Sequence, residues 1–162
     1  MLELMAWLEA SALANLLRGL GIWTYGLLNL GHILGVSMLF GMVLLLDLRL
    51  LGLWQRIPLA AIIGPTVPLA AIGFGLAVIT GIMMLSFNTT DYHGNPFLYL
   101  KLPMVVLGMI NVVVFQRFGA WQRARDGQPA AVGDQGILRL AGGLSLAIWL
   151  TVVICGRMIG YW

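Results

Sequence analysis

Tyr25, Asn29 and His32 follow one another at spacings of four and three, which on an α-helix puts them on one face, and Gly35 continues that face. The stretch around them is apolar. An imidazole held where water is scarce costs several kcal/mol unless it is hydrogen-bonded, paired or coordinated, so His32 marks a functional site by default. A second stripe, Lys101, Met104, Gly108, Asn111 and Phe115, follows a heptad-like pattern further along. Each stripe joins an ionisable residue to a glycine gap and an amide. At about 1.5 Å per residue, His32 and Lys101 fall in the same half of a membrane and their side chains can approach one another.

That arrangement suits a b-type haem. A neutral imidazole nitrogen binds iron, helix-borne ligands clamp the macrocycle, and glycines make room for its plane. The expected metal ligands are His32 and, once it has lost its proton, Lys101. Asn29, Gly35, Gly108 and Asn111 complete the cofactor-binding set. Other readings stay open: His32 hydrogen-bonded to a neighbouring helix, Lys101 extended toward the interface, and His93 solvated in a loop. The methionines, Met38 and Met42 above all, are either soft ligands for Cu(I) or packing filler. Asp47-Leu48-Arg49 reads as a helix-end ion pair or a contact with the next loop. Ser/His/Asp sets, paired catalytic carboxylates and phosphate loops are missing. The single Cys155 forms no internal disulfide, and structural zinc spacings are absent.

The elements that position these residues follow from composition. A chain of 162 residues that is 60% hydrophobic and 9% charged, with mean hydropathy +0.96, has too much apolar mass for one small soluble core. Apolar runs at about 22–46, 59–87, 97–116 and 137–159 each reach the roughly 20 residues needed to cross hydrocarbon. They are continuous rather than alternating, which favours helices over a barrel. The expected fold is all-α, an integral membrane four-helix bundle in a single domain over 1–162 that meets the lipid bilayer. Residues 2–19 read as an interfacial amphipathic helix packed over the bundle mouth or onto a partner, although Glu9 falls on its wrong side. Pro58, Pro65 and Pro68 predict a kinked or late start to the second span. The segment 119–136 reads as a flexible connector.

Gly31 with Gly35 and Gly156 with Gly160 form GxxxG pairs, which read as helix packing. No basic leader precedes Glu3 and Glu9, so no cleaved signal peptide is expected. Arg49 and Arg56 after the first span, and Arg117, Arg123, Arg125 and Arg139 after the third, place those loops inside and both termini outside. The net charge of +3 calls for no nucleic acid.

Gly31-His32-Ile33-Leu34-Gly35, Phe40-Gly41, Asp47-Leu48-Arg49-Leu50-Leu51-Gly52, Asn95-Pro96-Phe97, Lys101-Leu102 and Asn111 to Arg117 resemble a group of uncharacterised small bacterial four-helix inner-membrane proteins. More distantly, the His-x-x-Gly start and the Lys-Leu pair resemble HemJ-type protoporphyrinogen oxidases and the membrane domain of CopD copper-resistance proteins. The HemJ resemblance implies a b-type haem held by a first-helix histidine and a later-helix lysine, which map to His32 and Lys101. The CopD resemblance implies copper handling.

Three functions are therefore expected, in this order. The first is haem b binding at His32 in electron transfer or porphyrin oxidation. The second is a cofactor-free accessory subunit of a larger membrane complex or homo-oligomer. The third is a copper or small-solute transporter.

Overall fold

The computed structural model describes residues 2–162 and is all-α. Two short helices, α1 (Leu2–Glu9) and α2 (Ala12–Gly19), precede the long α3 (Trp23–Leu51), α4 (Leu59–Leu85) and α5 (Pro96–Phe115). A short α6 (Gly119–Arg125) then leads to the last long helix, α7 (Asp134–Met158). The four long helices, α3, α4, α5 and α7, are each long and apolar enough to cross a membrane. Their outward faces carry Leu27, Leu30, Ile33, Ile72, Ile79, Val106, Ile110 and Ile154, all exposed. A belt of that extent is stable only in lipid. The expected four-helix membrane core is therefore observed.

Local sequence sets the boundaries. Gly52 closes α3 in the left-handed region at φ 111° and donates its N–H to the carbonyls of Arg49 and Leu48, as a C-terminal glycine does. Asn95 caps α5 by accepting from the N–H groups of Phe97 at 3.0 Å and Leu98 at 3.2 Å, with Pro96 in the first turn. The second span begins directly after Pro58 and carries Pro65 and Pro68 inside one helix. It therefore does not start late.

The four helices form an open rather than a closed bundle. α3 packs against α4 and α7, and α7 against α5, whereas α4 and α5 scarcely touch although one short loop joins them. Gly35 and Gly73 bring α3 and α4 together: a Cβ on Gly35 would lie 2.7 Å from the Ala77 nitrogen, and one on Gly73 2.6 Å from that of Leu39. This is the small-residue packing expected of Gly31 and Gly35. Along the bundle, Leu39, Trp149 and Val152 form one buried cluster. Leu50, Ile63, Phe115 and Trp121 form another near the α3 C-terminus.

Residues 2–19 do not form the single helix expected. The chain breaks at Ala10, and Ser11 caps α2 by accepting from the Ala14 N–H at 3.2 Å. The two helices lie over the loop between α4 and α5. Glu9, off the polar face of a single helix, is their anchor: one carboxylate oxygen accepts from the Thr90 N–H at 2.9 Å and its hydroxyl at 2.7 Å. Arg18 donates to the Phe87 carbonyl at 2.9 Å and the Glu9 carbonyl at 2.7 Å.

The 119–136 segment is likewise more ordered than its composition suggests. α6 buries Trp121, and Arg123 grips Asp134 through two nitrogens at 2.8 and 2.6 Å.

Candidate functional site

His32 is half-buried on α3 and is held against α4. Its Nδ1 lies 2.8 Å from the Ala77 carbonyl oxygen and 3.2 Å from Thr80 Oγ1. The Thr80 hydroxyl donates its own proton to the Leu76 carbonyl at 2.6 Å, so toward His32 it can only accept. Nδ1 thus faces two acceptors and must carry the proton. Nε2 is left with its lone pair, the form in which an imidazole serves as a metal ligand. The ring fits because Gly81 has no side chain; a Cβ there would meet His32 Cε1 at 3.1 Å.

Lys101, on α5, stands across the same half of the bundle. Its side chain lies over Gly156 of α7, where a Cβ would meet Nζ at 3.1 Å. The two residues therefore belong to opposite walls, His32 on the α3–α4 pair and Lys101 on the α5–α7 pair. The side between α4 and α5 stays open.

The other expected members of the site are elsewhere. Gly35 gives its space to the α4 backbone and Gly108 to the indole of Trp149, whose Cζ2 a Cβ would meet at 3.0 Å. Both glycines pack protein against protein, and neither leaves a gap for a macrocycle. Asn29 is exposed, and Tyr25 packs edge-on against Phe87 with centroids 5.4 Å apart. The stripe thus turns inward from His32 to Gly35. Asn111 lines a different cavity, toward the α3 C-terminus. His93 stays exposed in its loop. Among the described residues, no three His, Cys, Asp or Glu side chains converge to hold a metal.

That second cavity, of about 170 Å³, is bounded by α3, α4, α5 and α7. It contains a residue whose role sequence reasoning misplaced. Asp47 is neither ion-paired nor at the surface: it is 3% exposed, lines the cavity beside Ser145, and its Oδ2 has no hydrogen-bond partner. The loop contact belongs to Arg49, which donates to the Ile57 carbonyl at 2.9 and 3.1 Å. Trp149, another residue of this cavity, has its Nε1 buried without a partner. The signal available in the sequence was an acid four residues inside the end of a 29-residue helix.

These features define an all-α membrane protein with a four-helix core, an oriented histidine in one half and a buried carboxylate in the other. Compared with family models, curated proteins and solved structures, the chain matches none.

Proposed function

We propose that this chain is a multi-pass protein of the bacterial inner membrane that binds a b-type haem through His32 and acts in electron transfer or porphyrin oxidation. The observation that carries this reading is the orientation of His32. Fixing Nδ1–H on the Ala77 carbonyl and Thr80 leaves Nε2 as a ready donor. Ligating histidines are commonly held in this way by their other nitrogen. The side between α4 and α5, where the two helices scarcely touch, offers a flat ligand a way in from the bilayer. A bound haem would supply one-electron chemistry. The protein's part is to fix the imidazole, to present Lys101 from the opposite wall and to keep water away with apolar helices. The distant resemblance to HemJ-type proteins supports the same pair.

Six arginines, Arg49, Arg56, Arg117, Arg123, Arg125 and Arg139, lie toward the α3 C-terminal end, and Arg18, Lys101 and Arg157 toward the other. By the positive-inside rule the arginine-rich end is cytoplasmic, and both termini and the His32 half are periplasmic. Oxidised and dithionite-reduced absorption spectra of the purified protein test the reading. Sharp reduced bands with about one haem per chain are expected, and a colourless folded protein refutes it.

A second reading has its own support. Because Gly35 and Gly108 are filled by protein, the bundle also suits a cofactor-free accessory subunit whose apolar faces pack in a larger membrane complex or homo-oligomer. Stoichiometric copurification of a colourless chain with membrane partners is its expected result.

A further inference from the structure

We propose that the end of the bundle where the α3 C-terminus meets α7 binds the phosphate of an anionic phospholipid, in a cradle formed by Gly52, Gln55 and Arg139. Gly52 presents no side chain, and three nitrogen donors gather over its bare face. The point where a Cβ would stand is 3.1 Å from Gln55 Nε2, 3.7 Å from Arg139 Nη2 and 3.9 Å from Arg139 Nε. At φ 111° glycine is the residue that holds this position without strain, so no side chain of its own enters the cradle. Nε and Nη2 form one edge of the guanidinium, and such an edge grips a phosphate through two parallel hydrogen bonds. Gln55 supplies a third donor. Because all three nitrogens surround one point, the separate oxygens of a single phosphate, each accepting at about 2.9 Å, span them.

Charge at this end calls for an anion. Asp134 and Asp126 are paired with Arg123 and Arg125, and Asp47 is buried, which leaves Arg139 without an ion-pair partner among the described residues. Arg49 adds a positive charge and holds the loop that carries Gln55, donating to the Gln55 carbonyl at 3.4 Å and the Ile57 carbonyl at 2.9 Å. The surroundings fit a lipid rather than a free anion. Leu53, Trp54 and Ile57 on that loop, and Leu140 next to Arg139, are all exposed. At the end of spanning helices, such a mixture sets a headgroup against the donors and leaves its acyl chains to the apolar side chains. The two arginines repel the ammonium of a zwitterionic headgroup, so a lipid with net negative charge is preferred.

The cradle uses neither His32 nor Lys101, so its test is independent of the haem reading. Native mass spectrometry of the full chain, released from detergent containing equal amounts of phosphatidylglycerol and phosphatidylcholine of one chain length, would count the lipids each chain retains. Phosphatidylglycerol is expected to be retained in preference. Arg139→Gln should weaken its retention about tenfold, and Gln55→Leu should weaken it as well. Arg125→Gln removes the same charge from the same end, but from a residue paired with Asp126, and should leave retention unchanged, as should His32→Ala. Equal retention of the two lipids, full retention in Arg139→Gln, or an equal loss in Arg125→Gln overturns the proposal, the last by showing only diffuse attraction to a basic end. Displacement of the lipid by millimolar inorganic phosphate overturns the lipid as the ligand. Should Arg139→Gln not fold, Gln55→Leu compared with Arg125→Gln decides alone.

Discussion

His32 Nδ1 and the Ala77 carbonyl oxygen, 2.8 Å apart, tie α3 to α4 across the bundle and settle which ring nitrogen carries the proton. Ala77 O and Thr80 Oγ1 both accept there, so no proton is available to the ring from that side. The expected ¹⁵N NMR spectrum of the cofactor-free protein shows His32 with Nδ1 protonated and Nε2 bare. Thr80→Val should leave that assignment in place, because Ala77 remains. A spectrum with Nε2 protonated and Nδ1 bare contradicts the geometry.

The glycine contact between α3 and α4 gives a stability prediction. At Gly35 an added methyl group meets backbone rather than a flexible side chain, so the helices must separate. Gly35→Ala should destabilise the protein by about 1–3 kcal/mol, the usual cost of overpacking. Gly41→Ala, on the same helix with nothing within 4 Å, should stay within about 0.5 kcal/mol. Thermal unfolding in detergent distinguishes them, and equal midpoints for the two variants would refute the close approach.

Glu9 should make the N-terminal helices sensitive to acid. Hydrogen bonds from the Thr90 N–H, first, and then its hydroxyl hold the Glu9 carboxyl below the ordinary value of 4.5. A carboxyl depressed on folding stabilises above its unfolded pKa, and that contribution disappears as pH falls through the lower folded value. Hydrogen exchange at the Thr90 amide should therefore stay slow, relative to its intrinsic rate, at pH 5 and above, about the ordinary glutamate range, and lose protection progressively below it. Glu9→Gln should abolish this pH dependence. Protection that is independent of pH in the unsubstituted chain would contradict the contact.

Arg123 and Asp134 close the link between α6 and α7. Hydrogen bonding to the Asp134 carboxylate holds the Arg123 guanidinium above its ordinary range, so Arg123 keeps its charge at neutral pH. Arg123→Gln should speed amide exchange in α6 while leaving α3 and α4 unchanged. Equal exchange in both proteins would show that buried Trp121 alone holds α6.

The four spans were legible in the sequence because lipid asks only for length and apolarity, and Trp23–Leu51 through Asp134–Met158 satisfy both. His32 was legible for a related reason: an imidazole in an apolar run needs a partner. What those partners are was not readable, since Ala77 and Thr80 are 45 and 48 residues away and depend on how α3 and α4 cross. Gly35 and Gly108 show the same limit. A glycine states that something approaches closely, but not whether it is a ligand, a backbone or the Trp149 ring. Asp47 was misplaced because its neighbour Arg49 suggested a helix end in water, whereas the helix turns the two residues in different directions. Glu9 contradicted an amphipathic helix for the reason that it anchors a different structure.

Haem stoichiometry in His32→Ala tests the central claim most directly. The unsubstituted protein and the variant, purified alongside each other and checked for equal helix content, would be assayed for haem per chain and for reduced-minus-oxidised spectra. The account predicts bound haem in the first, and in the variant its loss or a spectrum that external imidazole restores. Full haem content with an unchanged spectrum in His32→Ala would contradict it.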